Sequence, residues 1–264
     1  MSVLRTQTAF GVSTLGLLAA LSLLPIPALK SAEAGALITY DEDGNERWRA
    51  KWNLQQISLS GQPMVSFTET GEGRYSPFKH PVRWKLESLW RYENRFCPQS
   101  YEKKFTDLEG NLLVTERFSL DWDKNIAQFE RIDHVGNHRT EEVLKVPLDT
   151  LTTDGIATAL RALPYDSPRP LTVHLLTNAP ELYKVTFKIE GREKVKTPAG
   201  DFDCYKVKMD IDLGFLDLFK VLVPDTYFWF TVAPPHFWVR YEGLESGPGS
   251  PKVVRVLTDR RDRS

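Results

Sequence analysis

Two histidines, His134 and His138, stand four residues apart, a spacing that suits a shared metal ion when both lie on one helix. They fall in Asp133-His134-Val135-Gly136-Asn137-His138, which reads as a hairpin turn, so no metal site is predicted. Carboxylate pairs recur, Asp121 with Asp123 and Asp210 with Asp212. Period-2 spacing puts each pair on one strand face, as solvated faces do routinely. The chain holds no G-x-S-x-G elbow, P-loop, H-E-x-x-H or dinucleotide fingerprint, so neither a catalytic nucleophile nor a cofactor is predicted. As an acid or base inside a β cup, only His236, Asp121 and Asp149 offer themselves. Cys97 and Cys204 lie far apart and form no C-x-x-C. A disulfide between them and two separate buried thiols are both compatible with that spacing.

The aromatic residues point towards ligand binding. Trp48, Trp52, Trp84, Trp90, Trp122, Trp229 and Trp238 occur mostly within alternating segments. Such rings either fill a core or line a cavity inside a curved sheet. The stretch from Gly214 to Pro224 abandons alternation for nearly continuous hydrophobicity. It reads as a buried crossing of the core, or as an apolar lid that meets a lipid or a partner. Phe215, Leu218 and Phe219 recur there at helical spacing. With Trp229, His236 and Trp238 on the following elements, they are the predicted ligand-binding residues.

These side chains must be positioned by strands. Tyr183, Val185, Phe187 and Ile189 alternate with Lys184, Thr186, Lys188 and Glu190, and a similar run extends from Tyr205 to Leu213. Each pattern gives one apolar and one charged face, as a half-buried strand requires. Thr197-Pro198-Ala199-Gly200-Asp201 is a turn between them. Trp48, Ala50, Trp52 and Leu54 follow a turn at Asp41 to Asn45; Val114, Phe118, Leu120 and Trp122 follow another at Asp107 to Asn111. Strands joined by short polar turns are the mark of an antiparallel meander. One helix is predicted, capped by Thr152 or Thr153, with Ile156, Leu160 and Leu163 on one face and Pro164 as its stop. The expected fold is mainly β: a single antiparallel curved sheet or open barrel, with one short helix covering a face or plugging an end.

At the N-terminus, Arg5 precedes an uncharged, leucine-rich run to Leu29, broken by Pro25 and Pro27 and followed by Ala32-Glu33-Ala34. A charged start, an apolar core and an A-x-A site make a secretory signal, predicted to span residues 1–34 with a single β-rich domain over 35–264. No cysteine precedes Cys97 to carry a lipid, so the expected product is exported, soluble and periplasmic, with no transmembrane segment after cleavage. The 264 residues carry 34 basic and 35 acidic side chains, scattered along the strands, which gives no electrostatic case for nucleic acid.

Several stretches resemble the bacterial exported family called domain of unknown function 3108. They are the Phe118-Ser119-Leu120-Asp121-Trp122 strand, Asp149 leading into the helix that ends Ala159-Leu160-Arg161-Ala162-Leu163-Pro164, the segment from Glu190 to Phe202, and Trp229 with Pro235 to Glu242 and the strand Val253 to Leu257. Their order and spacing agree from about Phe118 onward, and the Thr197-Pro198-Ala199-Gly200 turn is moderately specific. The resemblance implies an envelope protein with an antiparallel sheet curled around an apolar interior. It carries no established activity and no catalytic residues. The expected function is binding or carrying an apolar ligand such as a lipid. A structural or interaction protein of the envelope is the alternative, and an enzyme on an apolar substrate is a third class.

Overall fold

A computed structural model describes residues 29–92, 96–167, 169–212, 224–247 and 249–263. The chain opens with eight strands: β1 (Ala32–Tyr40), β2 (Glu46–Leu59), β3 (Gln62–Gly73), β4 (Val82–Arg91), β5 (Cys97–Thr106), β6 (Leu112–Asp121), β7 (Ile126–Asp133) and β8 (His138–Lys145). β9 (Thr150–Thr152) leads into helix α1 (Ile156–Ala159) and a 3-10 turn (Leu160–Ala162). Then come β10 (Leu171–Leu176), β11 (Leu182–Thr197), β12 (Gly200–Asp212), β13 (Thr226–Thr231), β14 (Trp238–Leu244) and β15 (Lys252–Arg263).

All fifteen strands form one sheet in the order β8-β7-β6-β5-β4-β3-β2-β1-β15-β14-β13-β12-β11-β10-β9. Every neighbouring pair is antiparallel except β9 with β10, which is parallel. The first and last strands meet at the centre, and each half is a meander running outward from them. Local turns explain the meanders. In Asp41 to Asn45 and again in Asp107 to Asn111, the leading Asp Oδ1 accepts from the backbone N–H groups two and four residues on. Gly44 and Gly110 take the positive φ each turn needs, +82° and +96°.

The edges β8 and β9 are joined by residues 146–149 alone. Fully extended, at about 3.5 Å per residue, that link reaches less than about 20 Å, so the sheet must roll until its edges approach. β9 packs against β5, but no strand ladder joins them, and the sheet is open rather than closed into a barrel. Register shifts in the β1–β2, β1–β15, β4–β5, β5–β6, β11–β12 and β13–β14 pairs add to the bend. Aromatic rings lie close against the inner face where side chains are missing: a Cβ on Gly71 would sit 2.0 Å from Trp84 Cζ2.

One expectation is corrected here and one open alternative is decided. Ala32, Glu33 and Ala34 lie in β1, paired with both β2 and β15, and Glu33 is 1% exposed. The helix is shorter than predicted and is entered from Gly155, without a side-chain cap. Parallel pairing of Thr150–Thr152 with β10 draws these residues into an extended strand, and the Thr153 hydroxyl donates to Asn178 Oδ1 instead. No disulfide joins the buried Cys97 and Cys204, which decides for separate thiols; burial pushes the Cys204 thiol up to about 12.

The candidate ligand cavity

Inside the roll lies a cavity of about 320 Å³, partly open to solvent. Trp48, Trp52, Leu54 and Phe67 from β2 and β3 contribute to its wall, as do Met209, Ile211, Phe228, Trp238 and Tyr241 from β12, β13 and β14. Strand alternation aims these side chains inward, and α1 adds Ile156, Ala157 and Thr158. The short helix therefore covers the interior, as expected of a lone helix on a curved sheet. Two buried ion clusters border the space. Arg161 donates from Nη2 and Nη1 to both oxygens of Glu33 at 2.9 and 3.1 Å, and from Nε to the Pro235 carbonyl at 3.0 Å. Glu245 accepts from Arg47, from the Trp48 indole at 2.7 Å and from the Ser76 backbone at 2.8 Å.

The β3–β5 side is more polar. Lys103 is buried, donates to Tyr75 Oη at 3.0 Å, and sits over the rings of Tyr75, Phe105 and Trp84 at 4.1, 4.8 and 5.3 Å. Directly opposite on β6 is Glu116, which bonds Arg131. Burial raises the Glu116 acid above its usual range, against the pull of Arg131 and Lys103. Glu69 accepts from the Trp84 indole at 2.8 Å. Asp154, between β9 and α1, accepts from the Trp90 indole at 3.3 Å through Oδ2. The buried Ser88 and Thr152 hydroxyls gather at the same carboxyl. Burial raises the Asp154 acid, and hydrogen bonding from Ser88, Thr152 and Trp90 opposes the shift. Asn178, also on the wall, donates to Tyr101 Oη at 3.1 Å.

The predicted ligand-binding residues separate. Trp238 lines the cavity. Trp229 does not: it is buried on the opposite face with Val195, Cys204 and Val239, its indole donating to Glu193 and the Arg240 guanidinium 5.0 Å from its ring. The cause is a slip in register, by which Trp238 pairs with Phe230 while Trp229 pairs with Arg240. His236 lies in a separate surface groove with Tyr165, Tyr205 and Pro234, held by a 2.8 Å hydrogen bond from Nδ1 to the Thr231 carbonyl. Phe215, Leu218 and Phe219 lie outside the described residues. Asp149 bonds His174 at 2.8 Å, on the face of β10 opposite the buried Val173 and Leu175, so this pair is not part of the cavity. Asp121 is a turn residue, accepting from the backbone of Asp123 and Lys124. Among the described residues no cluster of three metal-ligating side chains occurs, and no helix is long and apolar enough to cross a membrane.

Lys103, Glu69 and Asp154 were not singled out from the sequence. For Lys103 the signal existed, since it stands in phase with Tyr101 and Phe105 on the inward side of β5. Asp154 stands in the turn two residues past β9 and precedes a glycine, and nothing in that local pattern sets it apart from an ordinary turn acid.

Among solved structures, the chain is similar to one from Bacteroides fragilis described as an exported protein with a YmcC-like fold. That match has 12% identity and a TM-score of 0.35, covering 90% of this chain and 99% of the other. A protein from Parabacteroides distasonis described as a lipoprotein matches at 11% identity and TM-score 0.31, covering 90% and 98%. The hypothetical lipoprotein YmcC from Escherichia coli matches at 9% identity and TM-score 0.28, covering 88% and 86%. At those identities and scores the likeness carries no argument about function. No curated protein matches the chain. The model of one family, described as a protein of unknown function (DUF3108), matches residues 21–254, nearly the whole length and well beyond the half whose motifs carry the resemblance, and the chain belongs to that family.

Proposed function

We propose that this is an exported protein of the cell envelope that binds an apolar small molecule or lipid inside the rolled sheet. The observation that carries the reading is the cavity: about 320 Å³, within the range of small-molecule sites, and walled mainly by aromatic and aliphatic side chains. Its indole and phenol rings offer broad apolar contact at little entropic cost. Export is supported by the charged start, the apolar run and the prolines before Leu29.

Ala157 lies on α1 at the cavity wall and is only partly buried, so Ala157→Phe should fill the space without displacing core. Binding of the fluorescent apolar probe N-phenyl-1-naphthylamine should weaken on the order of ten-fold, about 1.4 kcal/mol. The unfolding midpoint should hold or rise, as cavity filling commonly gives. Unchanged probe affinity in a folded variant would remove the cavity as the site and leave the envelope interaction protein as the better account.

A further inference from the structure

The Ala32-Glu33-Ala34 triplet has the small residues of a leader-removal site, yet it is built into the fold. β1 lies at the middle of the sheet, and all three residues pair on both sides, with β2 and with β15. Glu33 is buried and stands on the cavity wall. Its carboxylate accepts from Arg161 Nη2 and Nη1 at 2.9 and 3.1 Å. It also accepts from Arg260 Nη2 at 3.4 Å and from the Lys30 backbone N–H at 3.2 Å. Three elements therefore meet at one side chain: β1, the 3-10 turn that follows α1, and β15.

Residues further upstream are held as well. Gln56 donates from its backbone to the Ser31 carbonyl at 3.0 Å, and from its side-chain amide to the Leu29 carbonyl at 2.9 Å. The Leu29 side chain packs against the apolar cluster that holds Val65, Leu160 and Phe230. Cleavage after Ala34 would remove every one of these contacts. Arg161, itself buried, would lose the carboxylate that it grips at two points. Removing one partner of a buried pair is strongly destabilising, because the other charge stays in the interior.

We infer that the leader is removed at the Ala28–Leu29 bond, so that the mature chain begins at Leu29 and keeps Glu33. The inference rests on the reading of the chain as exported. An A-x-A-like site asks for a small residue just before the bond and an uncharged one two places earlier. A cut after Ala32 would put Lys30 at that earlier position. A cut after Ser31 would discard the Leu29 and Lys30 contacts. Ala28 has Ile26 two places before it and directly follows the apolar run with Pro25 and Pro27. Water splits the amide, the new carboxylate leaves with the leader, and Leu29 keeps the new amine.

N-terminal sequencing of the protein extracted from the envelope should begin at Leu29. A start at any other internal residue, Gly35 included, overturns the assignment and leaves export intact. A chain that still begins at Met1 overturns the leader and this assignment together. In the precursor, Ala28→Tyr should block removal by placing a bulky residue at the bond, whereas Ala34→Tyr should be processed like wild type. Normal processing of Ala28→Tyr, or a block by Ala34→Tyr, overturns the inference. Expressed without a leader, a chain from Gly35 should unfold about 1 M lower in urea than one from Leu29, or fail to fold. Equal midpoints overturn the inference, since Glu33 would then hold nothing that the mature chain needs.

Discussion

The inner faces of β3–β5 and of β12–β14 share one cavity, yet they are built differently. On β12, β13 and β14 the inward positions hold Met209, Ile211, Phe228, Trp238 and Tyr241. On β3, β4 and β5 the inward rows interrupt their apolar residues with Glu69, Ser88 and Lys103. Alternation decides which face a side chain occupies, but it does not make that face uniformly apolar. The cavity is therefore more polar on one wing and more apolar on the other.

The sharpest way to break that contrast is to truncate one residue on each wall. Phe228→Ala should cost about 3–5 kcal/mol, the usual loss for a core Phe. Ser88→Ala removes one hydroxyl at the Asp154 carboxyl and should cost about 1 kcal/mol. Urea unfolding of both variants measures the difference. Equal losses would mean that the polar wall is packed as tightly and paired as fully as the aromatic one.

A smaller effect sharpens the contrast through pH. Burial holds the folded Asp154 acid above its ordinary 3.8, so the folded chain binds this proton more tightly than the unfolded chain. The resulting stability is present below 3.8 and is lost as pH rises through the raised folded value. Asp154→Asn has no such loss, so its stability relative to wild type should grow from acid to neutral pH. Glu116, shifted in the same direction by burial, is common to both chains and cancels. A constant difference across that range would show that Asp154 titrates as it does in the unfolded chain.

Local signals account for what the sequence revealed. Charged and apolar residues alternate through β11 and β12, and the two Asp-to-Asn turns bind their own backbones, so the meanders were legible. Trp229 alternates with Phe228 and Phe230 and so faces away from the cavity, while Trp238 reaches the inner face through one slipped pair between β13 and β14 that leaves no mark in the residue pattern. The helix was overextended because only the pairing of Thr150–Thr152 with a strand more than twenty residues later fixes where it begins. The polar corner was invisible for the same reason. Ser88 lies on β4, Thr152 on β9 and Asp154 before α1, and only the rolling of the sheet gathers them.

The joint at the middle of the sheet has a consequence for how the molecule comes into being. Apart from β1 with β15, every antiparallel pair links strands adjacent in the chain, so either wing can zip up from local hairpins. The central seam must join Ala32 to Arg263 and Tyr40 to Val254, the most distant contacts available, and such long closures are the slow ones. A chain emerging from its N-terminus can assemble its first wing early, but β1 keeps one bare edge until β15 has emerged. Because the cavity draws its lining from both wings, it exists only after the two ends of the chain have met.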